Sequence, residues 1–187
     1  MTAFDYLSVL LSIVLGLAIA NVLTRLAAVV AARERVDFYW PPLAWAIWVF
    51  FISVQHWWAQ WGERHTPTWS FGAFWLELLV PVDLFLLSAL VLPAGEETRL
   101  DLGEWYFRNR AWFYGVMFFL PVLSLAEEFA RTGRISSSLN FAFLIAFDVV
   151  ILIAYVLKSR RAQEWITAQA MILTVAYVLL LFLQMPS

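Results

Sequence analysis

Polar positions interrupt this chain seldom and at regular intervals. Six apolar runs, at about 5–31, 41–61, 70–92, 110–127, 138–158 and 164–184, are separated by short polar connections. Each run is close to the ~20 residues that a helix rising 1.5 Å per residue needs to cross the hydrocarbon core of a bilayer. Their apolar character is continuous, without the alternation of barrel strands, and only helices or closed barrels satisfy every backbone group in lipid. The pattern predicts an all-α fold, a polytopic membrane helical bundle of about six transmembrane helices, with residues 1–187 as one unit. Pro41 and Pro42 suit the first turn of the second helix, while Thr66-Pro67-Thr68 and Ser136-Ser137-Ser138 offer caps before the third and fifth.

Composition agrees with the pattern. Hydrophobic residues make up 63% of the chain and charged residues 14%, outside the range of soluble domains. With a net charge of −2 and no basic stripe, no nucleic-acid partner is expected. The start, Met1-Thr2-Ala3-Phe4-Asp5, lacks a basic leader region and is read as the beginning of a retained first helix.

Basic residues divide unevenly between the connections. Arg33, Arg35, Arg99, Arg108, Arg110, Lys158, Arg160 and Arg161 fall in loops one, three and five, against Arg64, Arg131 and Arg134 on the other side. The positive-inside rule then places the odd loops in the cytoplasm and both termini in the periplasm. Trp57, Trp58, Trp61 and Trp69 at one end, and Trp40, Trp105 and Trp112 at the other, read as interfacial belts. Residues 101–109 mix charge with aromatics and are expected as a short interfacial helix, and the loop arginines Arg108, Arg110, Arg160 and Arg161 as contacts to anionic lipid.

Polar groups inside the apolar runs carry the functional expectation. Glu77, Asp83 and Asp148 lie at bilayer depth, with Arg25 as the matching base and Asn21 one turn from it. Charges at that depth usually face a protein interior or a wet cavity and mark ion or proton pathways. Pro81 removes the hydrogen-bond partner of the Glu77 carbonyl, and Pro121 does the same for Met117, so both are expected to kink their helices. A freed carbonyl beside two acids is a setting in which discontinuous helices hold cations. Arg25 is expected to pair with Asp148 or Asp83.

Helix one carries Ser8, Ser12, Gly16, Ala20 and Thr24 at every fourth position, a small-residue stripe expected either to pack at the bundle centre or to form a homo-oligomer seam. His56 is placed to titrate at an outer mouth, and Glu127-Glu128 is read as a solvated helix end. His56 and His65, nine residues apart across a helix end, do not suit a haem. There is no cysteine, no zinc motif, no nucleophile elbow and no phosphate loop, so no metal, cofactor or enzymatic activity is expected.

The segments Phe4-Asp5-Tyr6-Leu7-Ser8-Val9-Leu10-Leu11-Ser12-Ile13-Val14-Leu15-Gly16-Leu17, Gln55-His56-Trp57-Trp58 and Arg108-Asn109-Arg110-Ala111-Trp112-Phe113 resemble a group of small bacterial multi-pass membrane proteins to which no activity is assigned. The resemblance implies a bacterial inner-membrane setting. Two functions are expected from the residues: a proton or small-cation channel or transporter built on the intramembrane carboxylates, or a non-catalytic membrane subunit or sensor assembling through the helix-one stripe.

Overall fold

A computed structural model describes residues 3–61, 70–95, 99–135 and 139–181. The chain is an all-α bundle: α1 (Ala3–Ala31), α2 (Trp40–Ala59), α3 (Phe71–Val91), α4 (Leu102–Met117), α5 (Phe119–Thr132), α6 (Leu139–Val156) and α7 (Arg160–Leu181). Five stretches are long and apolar enough to cross a membrane, α4 and α5 together forming one of them. The twenty-residue α2 packs beside α1, α3 and α7. Large apolar side chains such as Ile13, Ile47, Ile153 and Val175 project outward from the bundle, as lipid-facing positions do.

Local chemistry fixes most helix ends. Pro41 and Pro42 occupy the first turn of α2, where a missing N–H costs nothing. The caps proposed at Thr66–Thr68 and Ser136–Ser138 lie outside the described residues; Ser70 caps α3, its Oγ accepting from the Ala73 N–H at 3.1 Å. Asp101 caps α4, accepting from the Glu104 N–H at 2.8 Å. That cap corrects the reading of 101–109 as a separate interfacial helix. From Leu102 onward these residues form the first turns of α4, and Leu102, Gly103 and Tyr106 are buried.

The α4–α5 stretch is interrupted at Phe118, which divides the two helices three residues before Pro121. Proline at that position cannot bond to the Met117 carbonyl and crowds it. Pro81 lies within α3, which remains one helix.

The three basic loops meet at one end of the bundle. Val36–Asp37 (β1) and Leu100–Asp101 (β2) pair as a two-residue parallel ladder, and Arg99 holds Asp37 with two bonds of 2.7 Å. The Tyr39 hydroxyl reaches the Arg160 carbonyl at 3.3 Å, and the Arg160 guanidinium lies 4.4 Å from the Tyr39 ring. Below this basic end the core is closed by Trp45, Leu84, Leu87, Tyr114, Met117 and Ile151, all fully buried. In lipid there is little hydrophobic drive between helices, so such close packing and interhelical hydrogen bonds hold the bundle together.

Candidate functional site

Arg25 and Asn21 join α1 to the end of α3. The Asn21 amide donates to Ser88 Oγ at 2.9 Å, and Arg25 Nη1 donates to the carbonyl of Leu92, the residue that ends α3, at 2.5 Å. Arg25 Nε also bonds Asn21 Oδ1 at 3.3 Å. The expected pairing of Arg25 with Asp83 or Asp148 is therefore corrected. Its charge is spent on the orphan carbonyl at a helix C-terminus, where a cation is favoured.

The acids do not form the single centre that their shared depth suggests. Asp83 is 7% exposed and Asp148 8%, each with one carboxylate oxygen buried and unbonded, Oδ2 and Oδ1 respectively. Apolar surroundings are the environment of each, with no charged partner among the described residues.

Glu77 behaves differently. It lies on α3 at the end opposite the basic loops, where the side chain of Gln60 lies beside it. Gln60 closes α2 and places its amide nitrogen 3.2 Å from His56 Nε2. Glu127 of α5 comes close enough to Glu77 for their charges to repel, and its Oε1 is buried without a partner. His56, Gln60, Glu77 and Glu127 thus gather from three helices. Glu127 was missed as a solvated helix end because the doublet Glu127-Glu128 gives no hint of which acid turns inward. His65 and Trp69 lie outside the described residues.

A cleft of about 90 Å³ opens beside this cluster, bounded by α2, α3, α5, α6 and α7. Its floor is Trp48, whose indole N–H donates to Thr174 Oγ1 at 2.8 Å and whose ring stacks on Phe147 at 5.3 Å and 9°. Gln55, His56, Ser124, Thr174 and Tyr177 add polar atoms to an otherwise apolar lining.

Toward the basic end lies a second polar network. The hydroxyl of Tyr106 bonds Gln163 Oε1 at 2.6 Å, that of Tyr114 reaches the same oxygen at 3.1 Å, and the two hydroxyls are 2.6 Å apart. Gln163 Nε2 donates to the carbonyls of Ala154, at 2.7 Å, and Leu157. The indole of Trp45 bonds Thr167 Oγ1 at 3.1 Å. Every member is buried and bonded, the condition under which a polar network fixes one packing arrangement. Arg110 joins it from the side, which corrects its assignment to the lipid surface: it is 6% exposed and faces the end of α6.

Neither family models, nor curated proteins, nor solved structures match this chain. The chemistry of the two polar regions is therefore the guide to function. Glu77 and Glu127 meet at one end, beside the cleft, with no cation next to them among the described side chains, whereas satisfied tyrosines, amides and arginines fill the other. Only the first arrangement leaves polar atoms to be used by something else.

Of the two expectations for the helix-one stripe, packing at the bundle centre is corrected. Ser12, Gly16, Ala20 and Thr24 face outward, and a Cβ placed on Gly16 would meet nothing within 4 Å. The bundle is contacted instead by Leu11, Leu15, Ala18 and Val22. Ser8 and Thr24 bond carbonyls of their own helix, those of Asp5 and Ala20, at 3.1 and 2.8 Å.

Proposed function

We propose that this protein is a non-enzymatic, proton- or small-cation-linked membrane protein of the transport type, loaded at Glu77 and Glu127. The observation that carries this reading is the meeting of two carboxylates from α3 and α5 in a half-buried setting with no cation beside them among the described side chains. Two acids that crowd each other share a proton or a cation readily, because either one relieves both repulsion and desolvation. Gln60, beside Glu77 and 3.2 Å from the His56 ring, extends the site toward the cleft. Asp83 and Asp148, held apart in apolar surroundings, are secondary to it. In a bacterial inner membrane the excess of basic residues in the odd loops puts the acid pair on the periplasmic side.

Flux of protons or of sodium and potassium into proteoliposomes tests the reading. The parent is expected to carry ions, and Glu77→Gln with Glu127→Gln to reduce that flux by about tenfold or more, a loss equivalent to one good polar contact. Parental flux in the double variant, or none in the parent, ends the proposal.

A second reading, a membrane subunit that associates through α1, is favoured by one observation: the outward-facing small residues Ser12, Gly16, Ala20 and Thr24. Such a surface lets another helix approach closely.

A further inference from the structure

Hydrogen-bonding groups in the cleft are left unused by the protein itself. Gln55 of α2 and Ser124 of α5 line it from two sides, and neither bonds another described residue. His56 lines it as well. The Gln60 amide nitrogen lies 3.2 Å from its Nε2; with that ring nitrogen as acceptor, the proton of the neutral imidazole resides on Nδ1. One imidazole N–H, one hydroxyl and one amide are thus available to an occupant.

The lining also says what that occupant is not. Among the described residues no Lys, Arg, Asp or Glu borders the cleft, so a charged molecule would lose its hydration without gaining a counter-charge there. The walls are aromatic: Trp48 stacked on Phe147, and Phe143 edge-on to Tyr177 at 5.6 Å and 67°. Flat, neutral rings are the shape such walls accept. A dry cavity of about 150 Å³ admits benzene; the cleft, at about 90 Å³, takes in only part of a ring, and its open mouth lets the remainder project outward.

We propose that the cleft binds the head group of a lipid-soluble quinone. An uncharged ring with carbonyl oxygens on opposite edges answers donors that come from α2 on one side and α5 on the other. His56 and Gln55 serve one carbonyl, and Ser124 the other. The ring lies along the Trp48 and Phe147 wall, and the apolar tail leaves through the mouth. Through Gln60, His56 also connects the bound ring to Glu77. That link rests on the proton reading above; the binding itself does not.

The test is titration of the purified full chain in detergent with decylubiquinone, followed by equilibrium dialysis and thermal melting. Saturable binding with a raised melting temperature is expected. Ser124→Ala and Gln55→Leu should each weaken it about tenfold, as loss of one hydrogen bond does. Ser124→Met, which fills the space, should abolish it with melting of the free protein unchanged. 1-Decanol, which has the tail and no ring, should not compete. Absence of saturable binding, competition by 1-decanol, or parental affinity in both Ser124→Met and Gln55→Leu overturns the proposal. No ion gradient enters this measurement, so lost flux with intact binding refutes only the transport reading, and intact flux without binding refutes only this one.

Discussion

Arg110 Nη1 donates to the Ala154 carbonyl at 2.6 Å, so that a side chain from α4 closes the end of α6. The same nitrogen reaches the carbonyls of Tyr155 at 2.7 Å and Leu157 at 3.4 Å. The last carbonyls of a helix have no partners within it, and here a buried guanidinium supplies them. Arg110→Leu is expected to cost about 2–4 kcal/mol, since it leaves buried acceptors unbonded. Arg110→Lys should recover part of this, because an ammonium keeps the charge without the planar fork. Unfolding of both variants in mixed micelles checks the order; equal stability of Arg110→Leu and the parent would refute it.

Gln163 is the hub of the neighbouring network, joining two tyrosine hydroxyls to the carbonyls of Ala154 in α6 and Leu157 just beyond it. Tyr114→Phe removes one contributor and should cost about 1 kcal/mol, whereas Gln163→Leu should cost about 2–3 kcal/mol. The double variant is expected to lose less than the sum, because the first change has already broken the shared contact. Strict additivity in a double-mutant cycle would show that the bonds act independently.

Two glycines should respond oppositely to alanine. Gly95 has φ of +89°, and an added Cβ would come 2.7 Å from the Cβ of Ala28. Gly95→Ala is expected to lower stability by about 1–3 kcal/mol through backbone strain and the clash with α1. Gly16→Ala meets open space and should be neutral or stabilising. If α1 associates with another helix, Gly16→Ile should reduce cross-linking in membranes without lowering the melting temperature, and unchanged cross-linking argues against that seam.

Asp37 and Arg99 give the basic end a dependence on pH. The bidentate bond from Arg99 holds the Asp37 carboxyl below its ordinary value of 3.8. A carboxyl whose folded pKa is depressed contributes stability above its unfolded pKa and loses it as the pH falls through the folded one. The parent should therefore hold the loop pair at pH 7 and lose it below about pH 4. Asp37→Asn should flatten this part of the profile in melts taken from pH 7 to pH 3. Both side chains are substantially exposed, so added salt should also weaken the effect.

Replacement of the isolated acids separates burial from use. Asp83→Leu and Asp148→Leu each remove a buried oxygen that has no partner. Both variants are expected to melt at or above the parental temperature, because an unbonded buried polar atom is a cost. A fall of several degrees would show that these acids hold the bundle together instead.

Much of the architecture is legible in the chain, because bilayer thickness turns length and apolarity directly into helices. The odd loops meeting through Val36–Leu100 and Tyr39–Arg160 also agree with the charge partition read from the sequence. What escaped depends on how helices are turned about their axes. Asp83 and Asp148 are recognisable as deep, but nothing in the sequence says that they face separate apolar environments. The stripe from Ser12 to Thr24 is visible as a stripe, while the choice of Leu11, Leu15, Ala18 and Val22 as the packed face is a property of the neighbours. Gln163 lay in what reads as a polar loop, and α7 begins at Arg160, early enough to bring it inside. Glu127 was hidden by Glu128 beside it.

The interruption at Phe118 gives the two pieces of one transmembrane run different obligations. The piece before it is pinned by Arg110, Tyr106 and Tyr114 to its neighbours; the piece after it contributes Ser124 to the cleft and Glu127 to the acid pair. A molecule lodged against Ser124 would therefore sit three residues from Glu127 on the same face of one short helix, so that a single element carries both the cleft and the acid pair.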